Sequence, residues 1–191
     1  HFDFMVNTLV PEWIRAKSDT RRIRIWSAGC STGEEPYSIA MALREHFPQL
    51  QDWDMKILAT DLDTNVLARA KAGIYDIERV DGLPRHMLKR WFLKRKDGDV
   101  SQIKIHPELQ RMITFKQLNL LHEWPFKGGF DLVFCRNVMI YFNKETQRLL
   151  TDAYASNLGD NGYLFIGHAE SLFKVSDRFS LSGNTMYKKI R

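Results

Sequence analysis

The sequence predicts an α/β protein built on a mostly parallel sheet. Strand-like apolar runs alternate with helix-like segments along most of the chain. A small-residue loop at 27–33 joins the first apolar run to a helix. Chemically distinctive clusters fall where such strands end, which is where open parallel sheets bind ligands. The 191-residue length fits one domain.

Taken in order, Ile23–Ser27 alternates apolar and polar residues and reads as the first strand. A helix follows over roughly Pro36–His46, starting at Glu34, Glu35 or Pro36, since Pro suits a first helical position. Lys56–Thr60 is the second strand. Thr64 is expected to cap a helix that runs through Ala72 and stops at Gly73. Residues 112–118 read as a third strand and Phe130–Cys135 as a fourth. Asn143 caps a helix to about Asn157, Gly162–Gly167 is a fifth strand, and Phe179–Leu181 with Thr185–Lys189 forms a hairpin. Between about Asp76 and Arg111 the strand-helix rhythm breaks into a short helix (Pro84–Phe92), a turn-rich stretch (94–99) and an alternating run (100–106). From Arg79 to Lys116 there are ten Lys/Arg and four Asp/Glu, so this stretch is more basic than the whole chain at +5. It reads as a solvated surface or as a docking module for an acidic partner.

Composition excludes several classes. Two cysteines make no disulfide framework, and neither has a second Cys or His at metal-ligand spacing, so both are expected reduced, without a metal, in a cytoplasmic protein. The charge is too weak and dispersed for nucleic acid. No run of roughly 18 apolar residues could span a membrane. No signal peptide is visible, and the chain opens on His1-Phe-Asp without an initiator Met, which suggests part of a longer protein.

The chemistry concentrates at the strand ends. Ser27-Ala-Gly-Cys-Ser-Thr-Gly-Glu-Glu-Pro-Tyr-Ser38 places Gly29 and Gly33 where backbone can approach a ligand closely. Glu34 and Glu35 then occupy the first helical turn, complement its dipole and would repel a diphosphate. A ligand with hydroxyls and positive charge fits better, and S-adenosylmethionine is the common cofactor of that description. The plain structural alternative is a tight turn before an acid-capped helix. About thirty residues on, Asp61 is placed to accept from ribose hydroxyls, whereas Asp63 fits a helix cap or turn. Asn119 can donate to and accept from an adenine edge, with Leu120 packing on its face. Cys135-Arg-Asn-Val-Met-Ile-Tyr-Phe142 brings a cation, an amide and a phenol to one strand end. In Gly167-His-Ala-Glu170, His168 is expected to be structural.

Together these stretches resemble the chemotaxis receptor methyltransferases, the CheR family, across essentially the whole chain. Residues 26–41, Ala59-Thr-Asp-Leu-Asp63, Gln117-Leu-Asn-Leu-Leu121, 134–142 and Gly167-His-Ala-Glu170 carry the resemblance. It implies a class I S-adenosylmethionine-dependent methyltransferase fold over residues 1–75 and 112–191. A small antiparallel β-subdomain would be inserted at 76–111. It implies methyl transfer to glutamate side chains on the cytoplasmic helices of chemoreceptors, by an enzyme recruited to membrane-bound receptor arrays. Glu35 and Asp61 would contact the amino-acid and ribose parts of the cofactor. Asn119 and Leu120 would face the adenine, and Gly29, Asn137 and Val138 would line the pocket. Tyr141 matches the tyrosine of the methyl-transfer centre, and Arg136 is expected to hold the substrate acid or the local loop. Family members also carry an N-terminal helical domain and a linker with a Phe-Phe-Arg-Glu-like motif, neither of which precedes His1. Without them, one pocket wall and a substrate-facing Arg are expected to be missing. The loop at 94–100 has one Gly and several charges, unlike the glycine-rich loop with which some members bind a receptor C-terminal peptide. The alternatives are a non-catalytic module that binds the cofactor, and a dinucleotide-dependent oxidoreductase, which the paired acids disfavour.

Overall fold

The computed structural model describes residues 1–95 and 101–191. In chain order the helices are α1 (Phe2–Phe4), α2 (Val10–Ala16), α3 (Glu34–His46), α4 (Thr64–Ala72), α5 (Arg85–Trp91), α6 (Pro107–Gln110) and α7 (Lys144–Asn157). The strands are β1 (Arg22–Ala28), β2 (Asp54–Asp61), β3 (Ile74–Asp76), β4 (Phe92–Lys94), β5 (Gln102–Ile105), β6 (Ile113–Gln117), β7 (Phe130–Cys135), β8 (Leu158–Ile166), β9 (Phe179–Gly183) and β10 (Met186–Lys189).

Seven strands form the main sheet in the order β6-β2-β1-β7-β8-β10-β9. Neighbours from β6 to β8 pair in parallel, while β10 runs antiparallel to both β8 and β9. The chain therefore winds outward from β1 to one edge and then from β7 to the other. The point of reversal, between β1 and β7, is where a crevice opens beyond the carboxyl ends of the strands.

Both faces of the sheet are covered, as a parallel sheet requires. On one face Ile23, Ile25, Leu132, Phe134, Tyr163 and Phe165 pack with Ile39 and Leu43 of α3 and with Met5, Leu9 and Trp13. On the other, Trp26, Val133, Cys135, Leu164 and Ile166 pack with Leu150 and Tyr154 of α7. The period-two alternation along β1, β7 and β8 thus builds two half-cores at once. Trp26 is fully buried, and its indole N–H donates to Thr60 Oγ1 at 2.9 Å.

The N-terminal segment supplies a helix that periodicity alone leaves unassigned. A π turn, Met5–Leu9, links α1 to α2, and Pro11 lies in the first turn of α2. Proline has no N–H for the ladder and its ring crowds the carbonyl four residues earlier, which a widened turn accommodates. Of the two residues that the sequence offers as a cap for α4, Asp63 is the cap and Thr64 is the first helical residue. Asp63 Oδ1 accepts from the Asn65 and Val66 amides at 2.7 and 3.4 Å, because Asp63 is the last residue with extended backbone. Asn143 caps α7 as expected, accepting from the Thr146 amide at 2.9 Å. Gly73 ends α4 in the left-handed conformation with φ +64°.

The break in rhythm corresponds to a second, antiparallel sheet in the order β3-β5-β4. Its first strand begins at Ile74, two residues before the expected start of the insertion. The turn-rich stretch expected at 94–99 lies largely outside the described residues, as does Val100 of the alternating run. This small sheet touches the main domain near the Gly-rich loop. Tyr75 Oη donates to the Thr32 carbonyl at 2.5 Å, and Arg79 pairs with Glu34 at 2.5 Å.

Candidate functional site

A cleft of about 720 Å³ opens beyond β1, β2, β6 and β7 at the topological switch point. Its lining includes Gly29, Glu35, Asp61, Asn119, Leu120, Arg136, Asn137, Val138 and Tyr141, whereas Gly33, also expected close to a ligand, does not line it. They come from four separate strand ends, and only the winding of the sheet brings them together.

The loop after β1 forms the floor. The amides of Gly29 and Cys30 both donate to the Thr60 carbonyl, at 2.8 and 2.9 Å, which seats this loop on the end of β2. Gly29 has φ +74°, and a Cβ there would stand 2.6 Å from Val138 Cγ2. Hydrogen is the only side chain that lets the β1 and β7 loops close on one another.

Glu35 projects from the first turn of α3 with 19% of its side chain exposed. Burial pushes its carboxyl above the usual range, and the Ser27 hydroxyl, which donates to Oε1 at 2.7 Å, and the Arg136 guanidinium partly offset this. Arg136 Nη1 stands 3.7 Å from Glu35 Oε2, and its buried Nε has no hydrogen-bond partner among the described residues. Glu35 is thus a largely buried acid in a long ion pair with Arg136, and its Oε1 takes the Ser27 hydroxyl.

Asp61 does two jobs at the end of β2. Oδ2 accepts from the Ser31 amide at 2.9 Å, tying the two loops together, and Oδ1 accepts from the Asp63 amide at 3.0 Å. A carboxylate has about four lone-pair sites, so it can still accept from a ligand's hydroxyls. Asn119 lines the cleft but is folded into its own turn. Oδ1 accepts from the Leu121 amide at 3.0 Å, and Nδ2 lies 3.4 Å from His122 Nε2. Leu120 is half-buried, and its carbonyl takes the Trp124 indole N–H at 3.2 Å.

Tyr141 stands at the mouth, 79% exposed, on a short 3-10 turn after β7. Asn137 in the same loop has φ +60°. His168 is exposed, stacks on His1 at 5.4 Å between ring centroids and does not line the cleft. Sequence reasoning passes over Cys30, Thr60, Leu118, Leu121 and Phe142, which also line it. Burial foremost, with the nearby Asp61 charge, pushes the Cys30 thiol up to about 12, so it stays protonated at neutral pH. Among the described residues no group of three or more His, Cys, Asp or Glu is placed to hold a metal. No helix among them is long and apolar enough to cross a membrane.

The strand order, with its reversal beside the cleft and its antiparallel C-terminal hairpin, is that of the class I S-adenosylmethionine-dependent methyltransferases. DszA carbon methyltransferase, known from a crystal structure, shares this fold. The TM-score is 0.51 at 18% identity, covering 86% of this chain and 34% of that one. Within the class, residues 1–188 match the family described as CheR methyltransferase, SAM binding domain, and the chain belongs to that family. A probable chemotaxis protein methyltransferase of Rhizobium etli is 41% identical over 189 residues, 98% of this chain and 70% of the relative. The chemotaxis protein methyltransferases of Borreliella burgdorferi and Escherichia coli K12 are 45% and 39% identical, over 90% of this chain in both cases. The chain spans 61% and 60% of their lengths.

Proposed function

We propose that this chain binds S-adenosylmethionine in the cleft and transfers its methyl group to glutamate side chains on the cytoplasmic helices of chemoreceptors. The observation that carries this is the convergence of Glu35, Asp61, Asn119, Asn137 and Tyr141, from four strand ends, on one cleft. The donor set fits the cofactor. Glu35, a largely buried acid held by the Ser27 hydroxyl and a long ion pair with Arg136, suits an ammonium. Asp61 retains lone pairs for ribose hydroxyls. Leu120 offers an apolar face to an adenine, Asn119 beside it would have to turn out of its own loop to meet the adenine edge, and Gly29 and Val138 shape the wall between. When bound, S-adenosylmethionine supplies an electrophilic methyl on a positively charged sulfur.

The chain's own residues then have little acid–base work to do. A glutamate carboxylate is ionised at neutral pH and needs no general base. The site has to orient that carboxylate and exclude water, and orientation alone can supply roughly 7–11 kcal/mol of a barrier. In this reading Arg136, which lines the cleft, holds the substrate acid, and the exposed Tyr141 hydroxyl orients it. The basic stretch from Arg79 to Lys116 suits acidic receptor helices and predicts association that weakens with salt. A place in the cytoplasm beside receptor arrays is part of the same reading. The relatives named chemotaxis protein methyltransferases, at about 40% identity, support the chemotactic role it assumes.

The test is methyl incorporation into receptor-containing membranes from labelled S-adenosylmethionine, followed by alkaline release of methanol from the ester. Base-labile incorporation on glutamate supports the reading. No incorporation, or incorporation stable to base, contradicts it. Tyr141→Phe should lower turnover far more than cofactor affinity, and equal activity would remove Tyr141 from the transfer centre.

A further inference from the structure

Glu170 is a carboxylate that the cleft chemistry does not use, yet it is 8% exposed. The groups it meets are backbone amides from two strand ends. Oε2 accepts from the Gly167 N–H at 2.6 Å and the Asn137 N–H at 3.1 Å, and Oε1 accepts from the Ile140 N–H at 3.1 Å. Burying a carboxylate is costly unless its oxygens are satisfied, and hydrogen bonds to a charged acceptor are about twice as strong as neutral ones.

The loop held this way is the one that carries Arg136, Asn137, Val138 and Tyr141. Asn137 sits at φ +60°, a left-handed turn that Asn tolerates better than most side chains and that the Glu170 contact holds in place. The Gln147 amide of α7 also donates to the Met139 and Phe142 carbonyls at 2.9 and 3.0 Å. Glu170 takes the loop's donors and Gln147 its acceptors. Gly167 completes the seat, since a Cβ there would lie 2.4 Å from Asn137 Oδ1 and 2.9 Å from the Asn137 nitrogen.

We propose that Glu170 is the positioning residue of the transfer centre: by holding three backbone N–H groups it fixes the turn at Asn137 and so places Arg136 and Tyr141 over the cleft. The role in transfer rests on the function proposed above; the anchoring of the loop does not. Glu35, Asp61 and Asn119 stand on other strand ends. Asn137 and Val138 of the clamped loop also line the cleft. Loss of the clamp therefore lowers cofactor affinity by a few-fold while three contacts on other strand ends remain. It falls harder on turnover, where a displacement on the order of 1 Å can cost about 10²-fold.

The experiment compares the full chain with Glu170→Gln and Glu170→Asp. Gln keeps one accepting oxygen and sets an N–H against an N–H; Asp keeps both oxygens on a shorter arm. Three quantities are read: amide hydrogen exchange by mass spectrometry, affinity for S-adenosylhomocysteine by calorimetry, and methyl transfer to receptor membranes. In Glu170→Gln, exchange over 136–142 should rise at least ~10-fold with β1 and β2 unchanged. Turnover should fall about 10²-fold while affinity changes only a few-fold, and Glu170→Asp should recover part of both losses. Wild-type exchange in Glu170→Gln overturns the proposal. So does exchange that rises across the whole sheet with affinity and turnover falling together and Asp no better, because that marks a general structural role. If Glu170→Gln fails to fold, the same readings on Glu170→Asp decide. An inactive wild-type chain would defeat the proposed function, and the exchange contrast would still decide whether Glu170 anchors the loop.

Discussion

Gly29→Ala tests whether the cleft depends on the close meeting of the β1 and β7 loops. The added methyl would stand 2.6 Å from Val138 Cγ2 on a backbone with φ +74°. The left-handed conformation costs an L-residue about 1–2 kcal/mol, and forcing a methyl into a filled contact costs about 1–3 kcal/mol. The sum is about 2–5 kcal/mol of stability. Relieving the overlap moves the Val138 loop by on the order of 1 Å, enough to weaken a ligand that touches both walls. Val138→Ala removes the clashing methyl and leaves the φ strain, so the double variant separates the two terms. Urea denaturation of the wild type, both single variants and the double variant gives the coupling energy. It should be about 1–3 kcal/mol in the restoring direction, with affinity for S-adenosylhomocysteine recovering in parallel. Coupling within about 0.5 kcal/mol of zero would mean that the loops do not constrain each other and would refute the reasoning.

Thr60→Val strands the fully buried Trp26 N–H and should cost about 1–3 kcal/mol in urea denaturation, while Thr60→Ser, which keeps the acceptor, should cost less. Glu35 carries a pH signature. Its carboxyl is pushed up in the folded state, so folding favours the protonated form, and that contribution is present at acid pH and lost as pH rises from the unfolded carboxylate range through the folded value. Glu35→Gln should therefore raise thermal stability relative to wild type more at pH 7.5 than near pH 4, while it weakens cofactor binding. A stability difference that does not change with pH would contradict the burial of that charge.

What the sequence reveals is local, and what it hides is set by tertiary contacts. β1, β2 and β7 are legible because Ile23, Ile25, Ile57 and Leu132–Cys135 keep strand periodicity or an unbroken apolar run between turn residues. The Gly29–Gly33 loop is legible because small residues before a helix have few other uses. The α4 cap stays open between Asp63 and Thr64 because both are good caps, and only the backbone geometry chooses between them. The N-terminal helix is obscured by Pro11, although Met5, Leu9 and Trp13 form a buried helical stripe. Asn119 reads as a ligand group, yet it spends Oδ1 on its own turn, since Asn competes readily for nearby amides. Glu170 looks like an ordinary polar residue beyond a strand. Its burial follows from how the β7 and β8 loops pack, which no local pattern encodes.

The most direct test is a calorimetric titration of this 191-residue chain with S-adenosylhomocysteine, repeated on Asp61→Ala. Saturable binding at one site in the micromolar range, lost in the Asp61→Ala chain, is the predicted result. No binding by the wild-type chain, or binding indifferent to Asp61, would contradict the assignment of this cleft as the cofactor site.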